Sequence, residues 1–187
     1  MIEVYDNIID RDFIENYEAM HINPYFAWFL SSNTYGTVDD DIAENIECPH
    51  TKIVDGPQFV HTFVKDEQDN SDRALYARDL LRIACDSIGL KPTPFRIKSN
   101  LCPLSFSNNK DEHQVPHVDF IDNHYGAIYY VNDSDGPTFF FDKDYKVIKT
   151  VDPKKGRFVF FDGEIFHAGS HPNKNNFRIV TNFNFRI

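Results

Sequence analysis

The chain has 187 residues, 15% of them aromatic and 18 of them Phe, and a formal net charge of −10. That length suits one domain with a sizeable core, and so much aromatic mass excludes a disordered tail. The acidic balance, with no basic stripe anywhere, argues against nucleic acid as a partner, because neutralising phosphates takes clustered cations.

The opening residues, Met1-Ile-Glu-Val-Tyr-Asp, lack the basic start and apolar run of a secretory leader. No apolar stretch approaches the roughly 20 residues that span a bilayer. Cys48, Cys85 and Cys102 are odd in number and widely spaced, so they make neither a disulfide framework nor a CxxC metal knuckle. The expectation is a protein of the reducing cytoplasm with no membrane association.

In chain order, residues 2–5 alternate like a short strand. Asp10 is placed to cap a helix over 11–20, with Phe13, Ile14 and Tyr17 at helical spacing. Pro24 to Leu30, with Trp28, is aromatic and can either add to the core or line an entrance. Asp39-Asp-Asp41 reads as a solvated turn. Gln58 to Val64 reads as a strand and 65–72 as a polar loop. The clearest helix is 73–89. Leu75, Leu80, Leu81, Ala84 and Ile88 form its apolar stripe, Ser71 or Asp72 can cap it, and Gly89 ends it.

From Pro94 the character changes to short β-type runs, namely 94–101, 115–120, 125–132, 137–141, 145–150, 157–161, 165–168 and 177–186. Turn residues separate most of them, as in Asn132-Asp-Ser-Asp-Gly136 and Asp152-Pro153. Eight such runs suggest a sandwich or barrel. In the last run Phe177, Ile179, Thr181, Phe183 and Phe185 share one face, suited to covering the N-terminal helices. Arg178, Val180, Asn182 and Asn184 share the other, which would look into the barrel. An inward Arg needs an anionic partner.

The chemistry-bearing pattern begins at His117-Val118-Asp119. Period two in a β-type run puts both side chains on one face. His167 follows on a later strand, opening His-Ala-Gly-Ser. Two His and one carboxylate from different strands make the facial triad of non-haem Fe(II) oxygenases. In this composition an HxD arises about once by chance, so the weight lies on order and spacing. HxD comes first, then Ala127-Ile-Tyr-Tyr-Val-Asn132, then Gly156-Arg-Phe-Val-Phe-Phe161, then His167, and Arg178 eleven residues later. His113 and His117 have the spacing of a helical zinc pair, but Pro116 forbids that helix. No phosphate loop or nucleophile elbow occurs. His50, His61, His124 and His171 read as surface or loop residues.

Over about residues 94–187 this order resembles the 2-oxoglutarate and Fe(II)-dependent oxygenase superfamily, within it the prolyl 4-hydroxylase-like branch. The resemblance implies a mainly β fold, a double-stranded β-helix or jelly roll, with the N-terminal helices packed on one sheet. It implies a single domain over 1–187, with 1–93 as helical and strand support and 94–187 as the barrel. It also implies that His117, Asp119 and His167 ligate Fe(II), that Arg178 binds the distal carboxylate of 2-oxoglutarate, and that Tyr130 donates a hydroxyl to it. Strand phase favours Tyr130 over Tyr129 for that role. Ascorbate would be an optional reductant. Val180 stands where many relatives carry Ser or Thr, and Cys102-Pro103 where some prolyl hydroxylases carry Tyr. The implied activity is 2-oxoglutarate- and O2-dependent hydroxylation of a prolyl residue in a protein or peptide, or of a small molecule, with 103–116 as a lid. The rival readings are a cupin-type metalloenzyme, which needs no inward Arg on the last strand, and a jelly-roll binding module without metal.

Overall fold

The computed structural model describes residues 1–32, 52–53, 56–105 and 112–187. Their elements run β1 (Ile2–Tyr5), α1 (Arg11–Ile22), β2 (Phe29–Ser31), β3 (Lys52–Ile53), β4 (Gln58–Lys65), β5 (Gln68–Asp69) and α2 (Ala74–Ser87). The strand-rich part continues as β6 (Thr93–Pro103), β7 (Glu112–His113), β8 (Tyr125–Tyr130), β9 (Thr138–Phe141), β10 (Val147–Val151), β11 (Phe158–Asp162), β12 (Phe166–Gly169) and β13 (Phe177–Arg186).

The local chemistry explains the helix ends. The Asp10 carboxylate accepts from the Asp12 and Phe13 amides, which caps α1. Gly89, with φ +79°, takes the left-handed turn that ends α2. Ala77, Leu80, Leu81, Ala84 and Cys85 bury one face of α2, while Leu75 is exposed, contrary to its expected place on the stripe. The expected loop over 65–72 contains a hairpin instead. Asp66 and Glu67 carry positive φ, the signature of a tight primed turn, and so return the chain from β4 into β5.

The large sheet has the order β1-β11-β8-β13-β6-β4-β2, with β5 paired to β4. A second sheet is β10-β9-β12, and β3 pairs β7 in parallel. The architecture is mainly β and antiparallel, consistent with a jelly-roll oxygenase fold. Strand alternation splits the core in two. On one side, Tyr129, Phe158, Ile179, Phe183 and Phe185 pack with Tyr17 of α1 and Leu80, Leu81 and Cys85 of α2. On the other, Ile128, Tyr130, Val159, Phe161 and Val180 meet Phe140 and Val151 of the second sheet. Phe26 and Trp28 join the helix-side core, while Tyr25, Phe29 and Leu30 of the same segment are exposed.

Seven of the eight expected barrel runs form strands. Residues 115–120 do not. Only an isolated bridge remains there, with the His117 amide donating to the His167 carbonyl at 3.0 Å and the reverse bond at 2.9 Å. Pro116 has no N–H to give a ladder, and the next contact, Gln114 N–H to the Gly169 carbonyl at 2.8 Å, is slipped by one residue. His61 is a buried strand residue, contrary to expectation, and spans the Ala27 carbonyl and the Ser71 hydroxyl, while His124 lies in a loop as expected, though buried. Cys48, His50 and Asp39-Asp-Asp41 lie outside the described residues, as does much of the 103–116 lid.

Candidate active site

Between the sheets lies a cavity of about 430 Å³. On β6 the even-numbered residues Arg96, Lys98, Asn100 and Cys102 face it, because Ile97, Ser99 and Leu101 are turned to the other side of the pleat. On β13 the same alternation sends Arg178, Val180 and Asn182 inward, as their phase in the sequence predicts.

His117, Asp119 and His167 meet in this cavity. Their ligand atoms lie within 4.8 Å of one another, the only such group of three His, Cys, Asp or Glu among the described residues. Asp119 Oδ1 is 4.0 Å from His117 Nε2, and its Oδ2 is 3.8 Å from His167 Nε2. The single bridge does what the missing strand was expected to do. It pins His117 beside His167 and carries Asp119 two residues on.

The triad's orientation is set by backbone. His117 Nδ1–H donates to the Val115 carbonyl at 2.8 Å, and His167 Nδ1–H to the Ile165 carbonyl at 3.2 Å. Each imidazole is thereby fixed with Nε2 bare and turned to the shared point, as metal ligands require. Burial pushes His167 down to about 4, so it is neutral at physiological pH. Burial alone would raise the Asp119 carboxyl, but the Arg96 guanidinium beside it holds it well below the usual carboxylate range. Arg96 donates to Oδ1 at 2.9 Å and Asn184 Nδ2 to Oδ2 at 2.9 Å. Two imidazoles with Nε2 turned inward and an ionised carboxylate are the donor set that suits Fe(II).

Arg178, further along the same wall, is 3% exposed. Its Nη2 donates to Thr138 Oγ1 at 2.6 Å, its Cζ lies 5.5 Å from the centre of the Tyr130 ring, and its buried Nε has no hydrogen-bond partner. No carboxylate among the described residues pairs with it. A buried guanidinium left so is costly unless an anion arrives. Gly169 leaves room for one: a Cβ there would stand 3.1 Å from Arg178 Nη1. This cradle fits the distal carboxylate of 2-oxoglutarate.

Beside Arg178, Tyr130 lies on the inner side of β8 with Ile128 and Val180, as strand phase predicts. Its side chain does not line the cavity, and its hydroxyl donates to Thr138 Oγ1 at 2.7 Å, with the Val151 carbonyl 3.3 Å away. Tyr129 points to the helix-side core. The hydroxyl facing the cavity belongs to Thr138, which sequence reasoning missed, as it missed Arg96 and Lys98; Asn184 was placed on the inward face but given no role. The alternation along β6 was the available signal for Arg96 and Lys98.

Residues 104–186 match the model of the 2OG-Fe(II) oxygenase superfamily. That match takes in the strand-rich part of the chain that carries the His-Asp-His cluster and Arg178. Fe(II) and 2-oxoglutarate are the cofactor and co-substrate that go with this family, and the dioxygenase reading stands over the cupin and binding-module alternatives. Among solved structures, an oxygenase-family oxidoreductase from Burkholderia pseudomallei is 12% identical with a TM-score of 0.69, covering 98% of this chain and 84% of that one. A prolyl-4-hydroxylase from Pseudomonas putida is 18% identical with a TM-score of 0.56, covering 100% and 92%. A prolyl hydroxylase from Trichoplax adhaerens, solved with a hypoxia-inducible-factor peptide fragment, is 14% identical with a TM-score of 0.61, covering 98% and 83%. These likenesses are of fold. A search of curated protein sequences returns no match. No helix among the described residues is long and apolar enough to cross a membrane.

Proposed function

We propose that residues 1–187 form a single oxygenase domain, a double-stranded β-helix with α1 and α2 on its outer sheet. In it His117, Asp119 and His167 hold one Fe(II), and Arg178 receives the distal carboxylate of 2-oxoglutarate. The observation that carries this reading is a buried guanidinium with no carboxylate partner in the same cavity as a His-Asp-His cluster. A cupin would not need that Arg.

Bound iron supplies the activation of O2 that couples decarboxylation of 2-oxoglutarate to hydroxylation of a C–H bond. The rest is work for side chains. The Val115 and Ile165 carbonyls hold the two imidazoles, while Arg96 and Asn184 hold the Asp119 carboxylate at both oxygens. Thr138 Oγ1 accepts from Arg178 and from Tyr130, so its own proton is left to point into the cavity it lines. Thr138 thus takes the hydroxyl role first read for Tyr130, and Tyr130 positions it. Ile128, Val180 and Phe120 give the cavity apolar walls that limit water.

The substrate offers a C–H bond, in a prolyl peptide or a small molecule, and nucleic acid is not one of its classes. The reducing cytoplasm suits both the ferrous ion and the free thiols of Cys85 and Cys102. The test is succinate released from 2-oxoglutarate in air with Fe(II) and ascorbate. Wild type should turn over, even uncoupled from a prime substrate. The His167→Ala protein should lose turnover and metal together. A variant that keeps both would remove the triad from the account.

A further inference from the structure

The cavity carries more positive charge than the metal, its ligands and 2-oxoglutarate can use. Among the described residues its lining includes Lys65, Arg96, Lys98 and Arg178 against one carboxylate, Asp119. A divalent ion and a dianionic co-substrate cancel each other. Arg96 is taken up by Asp119 and Asn184, and Arg178 is reserved for the co-substrate. Lys98 is left over. It is half-buried and makes no hydrogen bond or ion pair among the described residues. Such a surplus in a chain of net charge −10 is not a sampling accident of a basic protein.

The position of Lys98 limits what it can serve. On the β6–β13 ladder Cys102 stands opposite Arg178, Asn100 opposite Val180, Lys98 opposite Asn182 and Arg96 opposite Asn184. Lys98 is therefore four residues from the Arg178 level, roughly 13 Å along the strand, and next to the level at which Arg96 and Asn184 grip Asp119. It faces the metal end of the cavity, not the end that holds the distal carboxylate. Asn182 faces the cavity across from it. A lysine without a partner among the described residues, with an amide side chain across from it, is a receptor for an oxyanion.

We propose that the prime substrate of this oxygenase is a small organic acid, a carboxylate or a phosphate ester, whose anionic group is received by Lys98 beside the iron. The inference rests on the oxygenase reading above and narrows its substrate class from any C–H donor to an anionic one. The half-buried setting of Lys98, in a cavity of about 430 Å³, favours a small molecule over an acidic peptide.

The test uses the Mn(II)-loaded protein at saturating 2-oxoglutarate, titrated with acetate, inorganic phosphate or neutral acetamide and followed by thermal shift. Acetate or phosphate should give a saturable further stabilisation and acetamide none; whichever anion is stronger separates a carboxylate from a phosphate substrate. Lys98→Met should raise the midpoint for that anion by about tenfold or more, the loss of one charged contact, and Lys98→Arg should retain most of the response. Should the Met variant misfold, Lys98→Gln is read in its place. If 2-oxoglutarate stabilises the Mn(II) protein but neither anion adds anything, this inference fails and the oxygenase reading survives. If Lys98→Met instead shifts the 2-oxoglutarate midpoint, the lysine serves the co-substrate and the proposal is wrong. If 2-oxoglutarate itself gives no stabilisation, the underlying reading fails and takes this one with it.

Discussion

At position 178 one side chain does two jobs that the sequence separated poorly. Its inward direction was legible, because Phe and Ile alternate with polar residues along Phe177–Arg186. Its neighbour was not. Thr138 reaches Arg178 only through the pairing of separate strands into two facing sheets, and no spacing in the chain encodes a contact 40 residues long. Thr138→Val should therefore leave metal stoichiometry intact and weaken 2-oxoglutarate by several-fold to about tenfold, the worth of a hydrogen bond to a charged group. Calorimetric titration of the metal-loaded variant reads this directly, and unchanged affinity would return the hydroxyl role to some other residue. Arg178→Lys should restore only part of what Arg178→Ala loses, since an ammonium cannot present the two parallel donors of a guanidinium.

At the scale of elements, α1 is tied to the large sheet by a buried polar chain. His21 Nδ1–H donates to the Tyr17 carbonyl, its Nε2 lies 2.8 Å from the Ser99 hydroxyl, and Ser99 and Tyr17 both meet Thr181 on β13. Burial pushes His21 down to about 4. Its folded pKa is below the unfolded value near 6.5, so the unfolded chain binds the proton more readily. The stability this residue sustains is present above about pH 6.5 and lost as pH falls toward 4, by up to about 3 kcal/mol. Denaturant unfolding of wild type and His21→Gln should show curves that converge as pH drops through that window; parallel curves would mean that His21 does not titrate on unfolding. Glycine matters at one β8 position. A Cβ on Gly126 would stand 2.5 Å from Phe161 Cζ, whose ring also packs against His167. Gly126→Ala should cost about 1–3 kcal/mol by overpacking, visible as a lowered Tm. The elements themselves were mostly readable from period and punctuation. The exception at 115–120 was a β-type composition broken by Pro116, where tertiary contact with β12 supplied the placement that the ladder did not.

For the molecule as a whole, the two facing sheets divide labour between the two sides of each strand. The odd-numbered residues of β6 and β13 build the helix-side core, and the even-numbered ones build the cavity. Fold class and the ligand set were therefore legible together, since both follow from alternation and the order of the strands. The charge distribution was not: a net charge of −10 hides a cavity with four cations in its lining. The acidic exterior still predicts that single-stranded DNA or RNA binds weakly at physiological salt, checked by fluorescence anisotropy; tight, steeply salt-dependent binding would reopen that substrate class. The central claim, that one cavity takes a metal on His117, Asp119 and His167 and 2-oxoglutarate on Arg178, is tested most directly by titrating 2-oxoglutarate into the Mn(II)-loaded wild-type and Arg178→Ala proteins by calorimetry. The account predicts one co-substrate per metal in wild type, and in Arg178→Ala full metal content with 2-oxoglutarate weakened at least about tenfold. Equal affinity in the two proteins, or no metal-dependent binding in wild type, would contradict it.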